Sequence, residues 1–298
     1  MWGSGLYFLS NMDQKKLVDR ILPTARSVGV SEDLRGWNWH RPPLKPVYDE
    51  RVPMYAVCSK YCPTSRDIFL NKVVGVSPKP SQAVVLGTAL HRVVSTVISS
   101  FLDGRIPDFE AWYSEALRSR NVVDQLPGVK DRSRLVWDYV LKNCEIQYVN
   151  RRSEQPYASR RDLLATSVPF LVEHKVSGEL LGLSGLLSVD CYDYLRGIVF
   201  DLKVAHEPKD WYRLSPTGYA IVLESVYEVP VDAGCVVYLW FHGDELSVTK
   251  DLFFINDDLR SWWLEERDSK ISIVAQKMDP GIPSKCYEDC IYRESCRG

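Results

Sequence analysis

Asp190, Asp201 and Lys203 are the residues from which a chemistry can be read. Asp201-Leu202-Lys203 lies inside the apolar run Gly197–Val204, which predicts a β-strand, and Asp190 ends the predicted strand before it. Side chains in a strand repeat every two residues, so Asp201 and Lys203 share a face. Charged groups in such a strand are costly unless they are paired or hold a metal. Two carboxylates and a lysine suit metal-assisted phosphodiester hydrolysis. Carboxylate oxygens hold a hard divalent ion, Mg²⁺ or Mn²⁺. The ion polarises the phosphate and acidifies the attacking water, while the lysine stabilises charge or orients that water. The plain structural alternative is a half-buried Asp–Lys salt bridge on an edge strand. Asp193 is a rival to Asp190, but it falls beyond the predicted strand end.

A second set is made of thiols. Cys286, Cys290 and Cys296 stand in a C-terminal segment with no hydrophobic pattern, which makes them poor core material. Three thiolates need a fourth ligand for a tetrahedral zinc or a cubane cluster. Cys62, in Tyr61-Cys62-Pro63-Thr64-Ser65-Arg66, or Cys58 before it, supplies one. Cys58 and Cys62 could also combine with Cys286 and Cys290 into a zinc site. Cys144, Cys191 and Cys235 occur singly and read as small buried hydrophobes.

Composition sets the frame for both. The chain has 298 residues, of which 45% are apolar and 11% aromatic, enough for a large core and against wholesale disorder. No run without Asp, Glu, Lys or Arg reaches 18 residues, so no membrane span is expected. Met1–Ser10 lacks the basic and apolar regions of a signal peptide. The expected location is therefore cytoplasmic, where thiols stay reduced and eight cysteines point to metal or cluster ligation. A net charge of −2 argues against a surface wholly devoted to nucleic acid. Between Glu115 and Arg161, however, ten Lys/Arg face six Asp/Glu, which fits a local grip on a polyanion or simply a solvated helical face.

The elements that must position these residues follow from periodicity. Leu17, Val18, Ile21 and Leu22 predict a helix, and Trp37–Pro53 an extended connection. Leu86–Leu102 predicts a helix stopped by Asp103-Gly104, with Gly87, His91 and Ser95 on a small polar face. Helical pattern continues through 105–162. Strands are predicted at Ser167–Glu173, Leu180–Val189, Gly197–Val204, Gly234–Phe241 and Glu245–Phe254, and helices at Pro216–Val226 and Leu259–Met278. That order implies an α/β fold with a mixed central sheet.

Gly87-Thr88-Ala89-Leu90-His91, Asp190, Asp201-Leu202-Lys203 and Tyr219 resemble, in order, the motifs of RecB-family nucleases of the PD-(D/E)xK superfamily. The resemblance implies that His91, Asp190 and Asp201 bind metal, that Asp190, Asp201, Lys203 and Tyr219 are catalytic, and that Gly87 permits close approach to its helix. Two positions depart from the pattern. Asp201 stands where glutamate is common, and Ser215 replaces the glutamine of Q-x-x-x-Y. Ser215-Pro216 reads instead as a helix cap followed by proline at the first helical position.

The cysteines narrow the likeness to the CRISPR-associated (Cas-four type) branch of the RecB nucleases, in its larger archaeal variant. There the implied cluster ligands are Cys62, Cys286, Cys290 and Cys296, and the cofactor an iron–sulfur cluster, [4Fe–4S] by preference. The implied layout is an N-terminal extension over 1–55 and a RecB-like nuclease domain over 56–298. Within that domain lie a helical insertion at 104–162 and the cluster tail at 279–298. The implied activity is trimming of single-stranded or end-frayed DNA, 5′→3′, before spacer acquisition, with the CRISPR integrase and other adaptation proteins as partners. Arg151, Arg152, Arg160 and Arg161, with Arg118 and Arg120, could follow the phosphates, and Trp112, Tyr148 and Tyr157 could stack on bases. The competing reading is a cluster-bearing subunit that binds DNA ends with little cleavage of its own.

Overall fold

The computed structural model describes residues 5–118, 128–243, 245–287 and 290–297. One five-stranded mixed sheet organises them: β1 (Phe170–Val176), β2 (Leu187–Asp193), β3 (Ile198–Lys203), β4 (Ala233–His242) and β5 (Glu245–Phe254), bonded in that order. Only the β3–β4 pair is parallel. The principal helices are α1 (Met54–Cys58), α2 (Gln82–Asp103), α3 (Phe109–Arg118), α4 (Val129–Glu154), α5 (Arg160–Ser167), α6 (Leu214–Tyr227) and α7 (Asp257–Gln276). A parallel pair needs a crossover, and α6 provides it between β3 and β4.

Alternation along β3 assigns the two faces. Ile198, Phe200 and Leu202 pack with Leu90, Val93 and Val97 of α2, with Val136 and Val140 of α4, and with Leu6, Tyr7 and Phe8. Val199 faces the other way, among Ile221 and Val222 of α6 and Trp263 and Leu264 of α7. Helices thus cover both sides, which is why β3 and β4 read as nearly unbroken apolar runs. The side chain of Ser81 caps α2, and Gly104, at φ 72°, ends it in the left-handed conformation that glycine adopts most readily. By length and hydropathy α2 could cross a membrane, but Val93, Val94 and Val97 lie buried in the core.

The hairpin β1–β2 departs from expectation. Leu180 falls in a helical turn, Glu179–Leu181, closed by Gly182 at φ 71°, and β2 begins only at Leu187. Leu181 and Leu183 still bury completely, so their apolar character serves the core from a turn. Asp190 therefore sits within its strand and Asp193 ends it, whereas the predicted strand ended at Asp190 with Asp193 beyond. The first predicted strand also shifts, since Ser167 closes α5 and β1 starts at Phe170. Midway along β1, Glu173 takes a left-handed φ of 48°. Phe170 before it belongs to the core under α2 and Val176 after it to the core under α6, although both have the same strand parity. The hairpin crosses from one face to the other at Glu173.

A buried charge cluster ties the N-terminal stretch to this core. Glu224 of α6 is fully buried and accepts hydrogen bonds from Arg260 (2.8 and 2.9 Å), Arg35 (2.7 Å) and the backbone N–H of Gly36 and Val231. Burial works against its charge, but Arg260 and these donors hold its pKa low. Replacing Glu224 by alanine leaves Asp232 as the remaining acidic partner of both guanidiniums and should cost about 3–5 kcal/mol in urea unfolding. Removing Asp138 from its exposed pair with Arg134 should cost at most about 0.5 kcal/mol. Similar losses in both variants would show that the cluster carries no special weight.

Candidate active site

Strands β2 and β3 pair only from Cys191–Asp193 to Ile198–Phe200 and then part. Continued one step, the register sets Asp190 opposite Asp201, and the β1–β2 register sets Glu173 opposite Asp190. Three acids thus stand in one row across three strands. Where the strands part, Leu202 loses its β2 partner. Its N–H donates to Asp190 Oδ2 at 2.9 Å, and its carbonyl accepts from His91 Nε2 at 3.1 Å. With Nε2 so held, His91 turns Nδ1 towards the acids, 3.4 Å from Asp190 Oδ1. His91, Glu173 and Asp190 each offer a ligand atom, all within 4.8 Å of one another.

Asp201 completes the group from the next strand. It is 4% exposed; Oδ1 accepts from Ser215 Oγ at 2.5 Å, and Oδ2 lies 2.7 Å from Lys203 Nζ without a well-directed hydrogen bond. Burial raises the pKa of Asp201, Lys203 opposes that rise, and the charge of Asp190 adds to it. Asp190 shifts the other way: burial would raise it, but His91 and the Leu202 N–H bring it down. Burial also disfavours charge on His91, yet Asp190 and Asp201 push its pKa up to about 9. Lys203 stays an ammonium because Asp201 outweighs burial. A pair of acids forced apart in pKa, beside an under-bonded carboxylate oxygen, is a setting that a divalent cation relieves. The oxygen-rich donor set with one imidazole suits Mg²⁺ or Mn²⁺.

The four thiols also gather. Arg66, four residues after Cys62, donates to the Cys296 carbonyl at 2.8 Å and to its Sγ at 3.1 Å, while clamping Asp279 with Nε and Nη2. Burial raises the Cys290 thiol, and the nearby Cys286 and Cys62 raise it further. Among the described residues, no three of these sulfurs fall within 4.8 Å of one another. Cys58 lies apart from them, buried near Lys203 and Lys270, with burial pushing its thiol up to about 12.

The model of the CRISPR-associated exonuclease Csa1 family matches residues 6–298. The chain belongs to that family. It is 29% identical over 297 residues to a CRISPR-associated exonuclease Csa1 of Saccharolobus solfataricus, covering 97% of this chain and 99% of the relative. A Csa1 of Thermoproteus tenax is 27% identical over 290 residues, with the same two coverages. No solved structure matches. The protein is thus a CRISPR-associated nuclease, and the geometry above is the candidate centre of a Csa1-family enzyme.

The motif residues of this Csa1-family chain converge with some changes of part. His91, Asp190, Asp201 and Lys203 come together. Tyr219, one turn after Ser215, points its ring towards them: burial first, then Asp190 and Asp201, raise its hydroxyl well above the ordinary value. Ser215 is not a helix cap. A helical turn, Asp210–Arg213, runs straight into α6, so Leu214 is the first helical residue and the Ser215 hydroxyl is free to hold Asp201. Gly87 meets no close neighbour, since nothing lies within 4 Å of where its Cβ would stand. Protein packing therefore does not account for this glycine.

Glu173 is the functional candidate that sequence reasoning missed. Its signal was an acid on the strand facing Asp190, hidden by the misplaced boundary of β2. The basic set is less coherent. Arg151 pairs with Glu154 at 2.8 Å, Arg152 is exposed, and Arg160 and Arg161 line a cleft of about 560 Å³ with Leu102, Phe170 and Tyr194. Arg120 and the Arg118 side chain lie outside the described residues. Trp112 meets Trp137 in a tilted contact at 5.0 Å and Tyr148 meets Phe101 at 6.3 Å, whereas Tyr157 is fully exposed.

Gly218 seats the helix that carries Ser215 and Tyr219. A Cβ there would stand 2.2 Å from Trp263 Nε1 and 2.7 Å from Met54 Sδ. Gly218→Ala should therefore lower stability by about 1–3 kcal/mol, read as a fall in thermal midpoint. An unchanged midpoint would show that Trp263 yields freely.

Proposed function

We propose that this Csa1-family chain is a divalent-metal-dependent deoxyribonuclease with a RecB-like PD-(D/E)xK core. The observation that carries the reading is the convergence of His91, Glu173 and Asp190 within 4.8 Å, beside Asp201 and Lys203. His91, Glu173, Asp190 and Asp201 would hold Mg²⁺ or Mn²⁺. Such an ion, when bound, polarises the scissile phosphate and acidifies water. The chain's own residues do the rest. Lys203, kept charged by Asp201, faces the developing negative charge on the phosphate. Ser215 orients Asp201, the Leu202 backbone orients Asp190 and His91, and Tyr219 borders the reacting phosphate. The bare face of Gly87, one turn before His91, leaves room for a DNA backbone to approach.

Single-stranded or end-frayed DNA is the proposed substrate, trimmed 5′→3′ in the cytoplasm for spacer acquisition alongside the CRISPR integrase. The exonuclease names of the two relatives support cleavage from DNA ends, and the rest of this reading follows the RecB-like motif resemblance. The Ser215–Asp201 bond favours cleavage over end binding alone, because the position that departs from the family pattern still serves the acid set. Cys62, Cys286, Cys290 and Cys296 would hold a structural iron–sulfur cluster. A set of thiolates drawn from both ends of the chain fits that group.

Two experiments test these readings. Labelled single-stranded DNA should be degraded with Mn²⁺, and Asp201→Ala, Lys203→Ala and Glu173→Ala should each slow the reaction by about 10²-fold or more. Equal rates in wild type and variants would sink the assignment. Anaerobically purified protein should be brown, with broad absorption near ~400 nm from iron–thiolate charge transfer. Cys62→Ala should bleach it and Cys58→Ala should not; colourless wild type carrying stoichiometric zinc would overturn the cluster.

A further inference from the structure

Four rings close around the ammonium of Lys209. From Nζ, the ring centres of Tyr61, Tyr287, Trp211 and Tyr212 lie at 4.8, 5.2, 5.5 and 5.9 Å. The rings also touch one another edge-on. Tyr61 meets Trp211 at 4.8 Å and Tyr287 at 5.6 Å, and Trp211 meets Tyr212 at 4.4 Å. One ring over an exposed lysine is a common and weak contact; four from three distant stretches of chain make a box. Tyr61 immediately precedes Cys62, Tyr287 immediately follows Cys286, and Trp211 and Tyr212 belong to the turn Asp210–Arg213 that leads into α6.

The box reaches the candidate active site through Tyr212. Its hydroxyl lies 3.0 Å from that of Tyr61, and its ring, 5% exposed, stands 5.5 Å from Lys203 Nζ. Among the described residues Lys203 has one ion-pair partner, Asp201, and the Tyr212 ring is the second group set against its ammonium. A continuous series of contacts therefore runs from both cysteine segments to Lys209, then to Tyr212, and on to Lys203.

We propose that Lys209 is a positioning residue: its aromatic box clamps the two cysteine segments onto the Asp210–Arg213 turn and so fixes Tyr212 against Lys203. Assembly of the thiol-bearing lobe is thereby coupled to the geometry of the active-site lysine. This rests on the role given to Lys203 above. The cation is the keystone, since without it four aromatic rings enclose an empty centre. Arginine can take its place, because a guanidinium also stacks on aromatic faces, and methionine, with a similar stem and no charge, cannot.

The test uses the whole chain, purified anaerobically so that any thiol-held group is retained, as wild type, Lys209→Met and Lys209→Arg. On labelled single-stranded DNA with Mn²⁺, Lys209→Met should lower kcat by about five- to thirtyfold with KM within about twofold, the pattern of lost positioning. Lys209→Arg should stay within about twofold of wild type. A second readout needs no activity: trypsin should release the peptide beyond Lys285 severalfold faster from Lys209→Met than from wild type or Lys209→Arg. Unchanged kcat and unchanged release in Lys209→Met overturn the proposal. A raised KM with kcat intact also overturns it, and shows instead that the rings stack on DNA bases. If wild type itself shows no metal-dependent cleavage, the nuclease mechanism fails on its own, and the rate of tail release still decides for or against the clamp.

Discussion

Strands β2 and β3 stop hydrogen-bonding just where the candidate site begins. A strand that loses its neighbour exposes an N–H and a carbonyl that must find partners in a water-poor interior. At Leu202 those partners are Asp190 and His91, two members of the candidate site. Backbone satisfaction and active-site assembly are thus one and the same set of bonds. The imidazole is turned by a peptide carbonyl and the carboxylate by a peptide N–H, so neither depends on a flexible side-chain neighbour. Electrostatics does the remainder: the charge of Asp190 works against ionisation of its neighbour Asp201, a conflict that Lys203 opposes and a shared cation would ease further.

The rest of the molecule keeps that fork closed on both sides. The N-terminal stretch packs Leu6, Tyr7 and Phe8 beneath the sheet, and α7 grips distant backbone through Lys270 to Val57 and Ser59 and through Arg267 to Leu44. These are long, buried cations satisfied by carbonyl oxygens as well as by carboxylates. Glu224 and its arginines do the same around α6. Segments that lie far apart in sequence are thereby brought next to the sheet, and Arg66, four residues after Cys62, holds the carbonyl and thiol of Cys296.

The legible part of the site was the part governed by strand parity. Asp201 and Lys203 stood out because charge within an apolar run is costly, and β5 matched its predicted limits to the residue. The unpaired cysteines Cys144, Cys191 and Cys235 likewise proved fully buried. Parity failed where the backbone broke it. Gly182 turned a leucine-rich segment out of the sheet, which moved β2 and concealed the partner of Asp190. Ser215 obeyed a local capping rule that an upstream helical turn overrode. No period in the sequence announces the left-handed conformation at Glu173, because tertiary contacts on both faces impose it.

That conformation sets folding against function at a single position. A left-handed φ of 48° is easy for glycine and unfavourable for a residue with a Cβ, by roughly 1 kcal/mol. Glycine would relax the hairpin at its crossing point and remove a carboxylate from the acid row. Selection for a sturdier fold would therefore erode the site, whereas selection for turnover keeps an ill-fitting side chain in place. At Glu173 an unfavourable backbone and an acid of the candidate site are therefore carried by one residue.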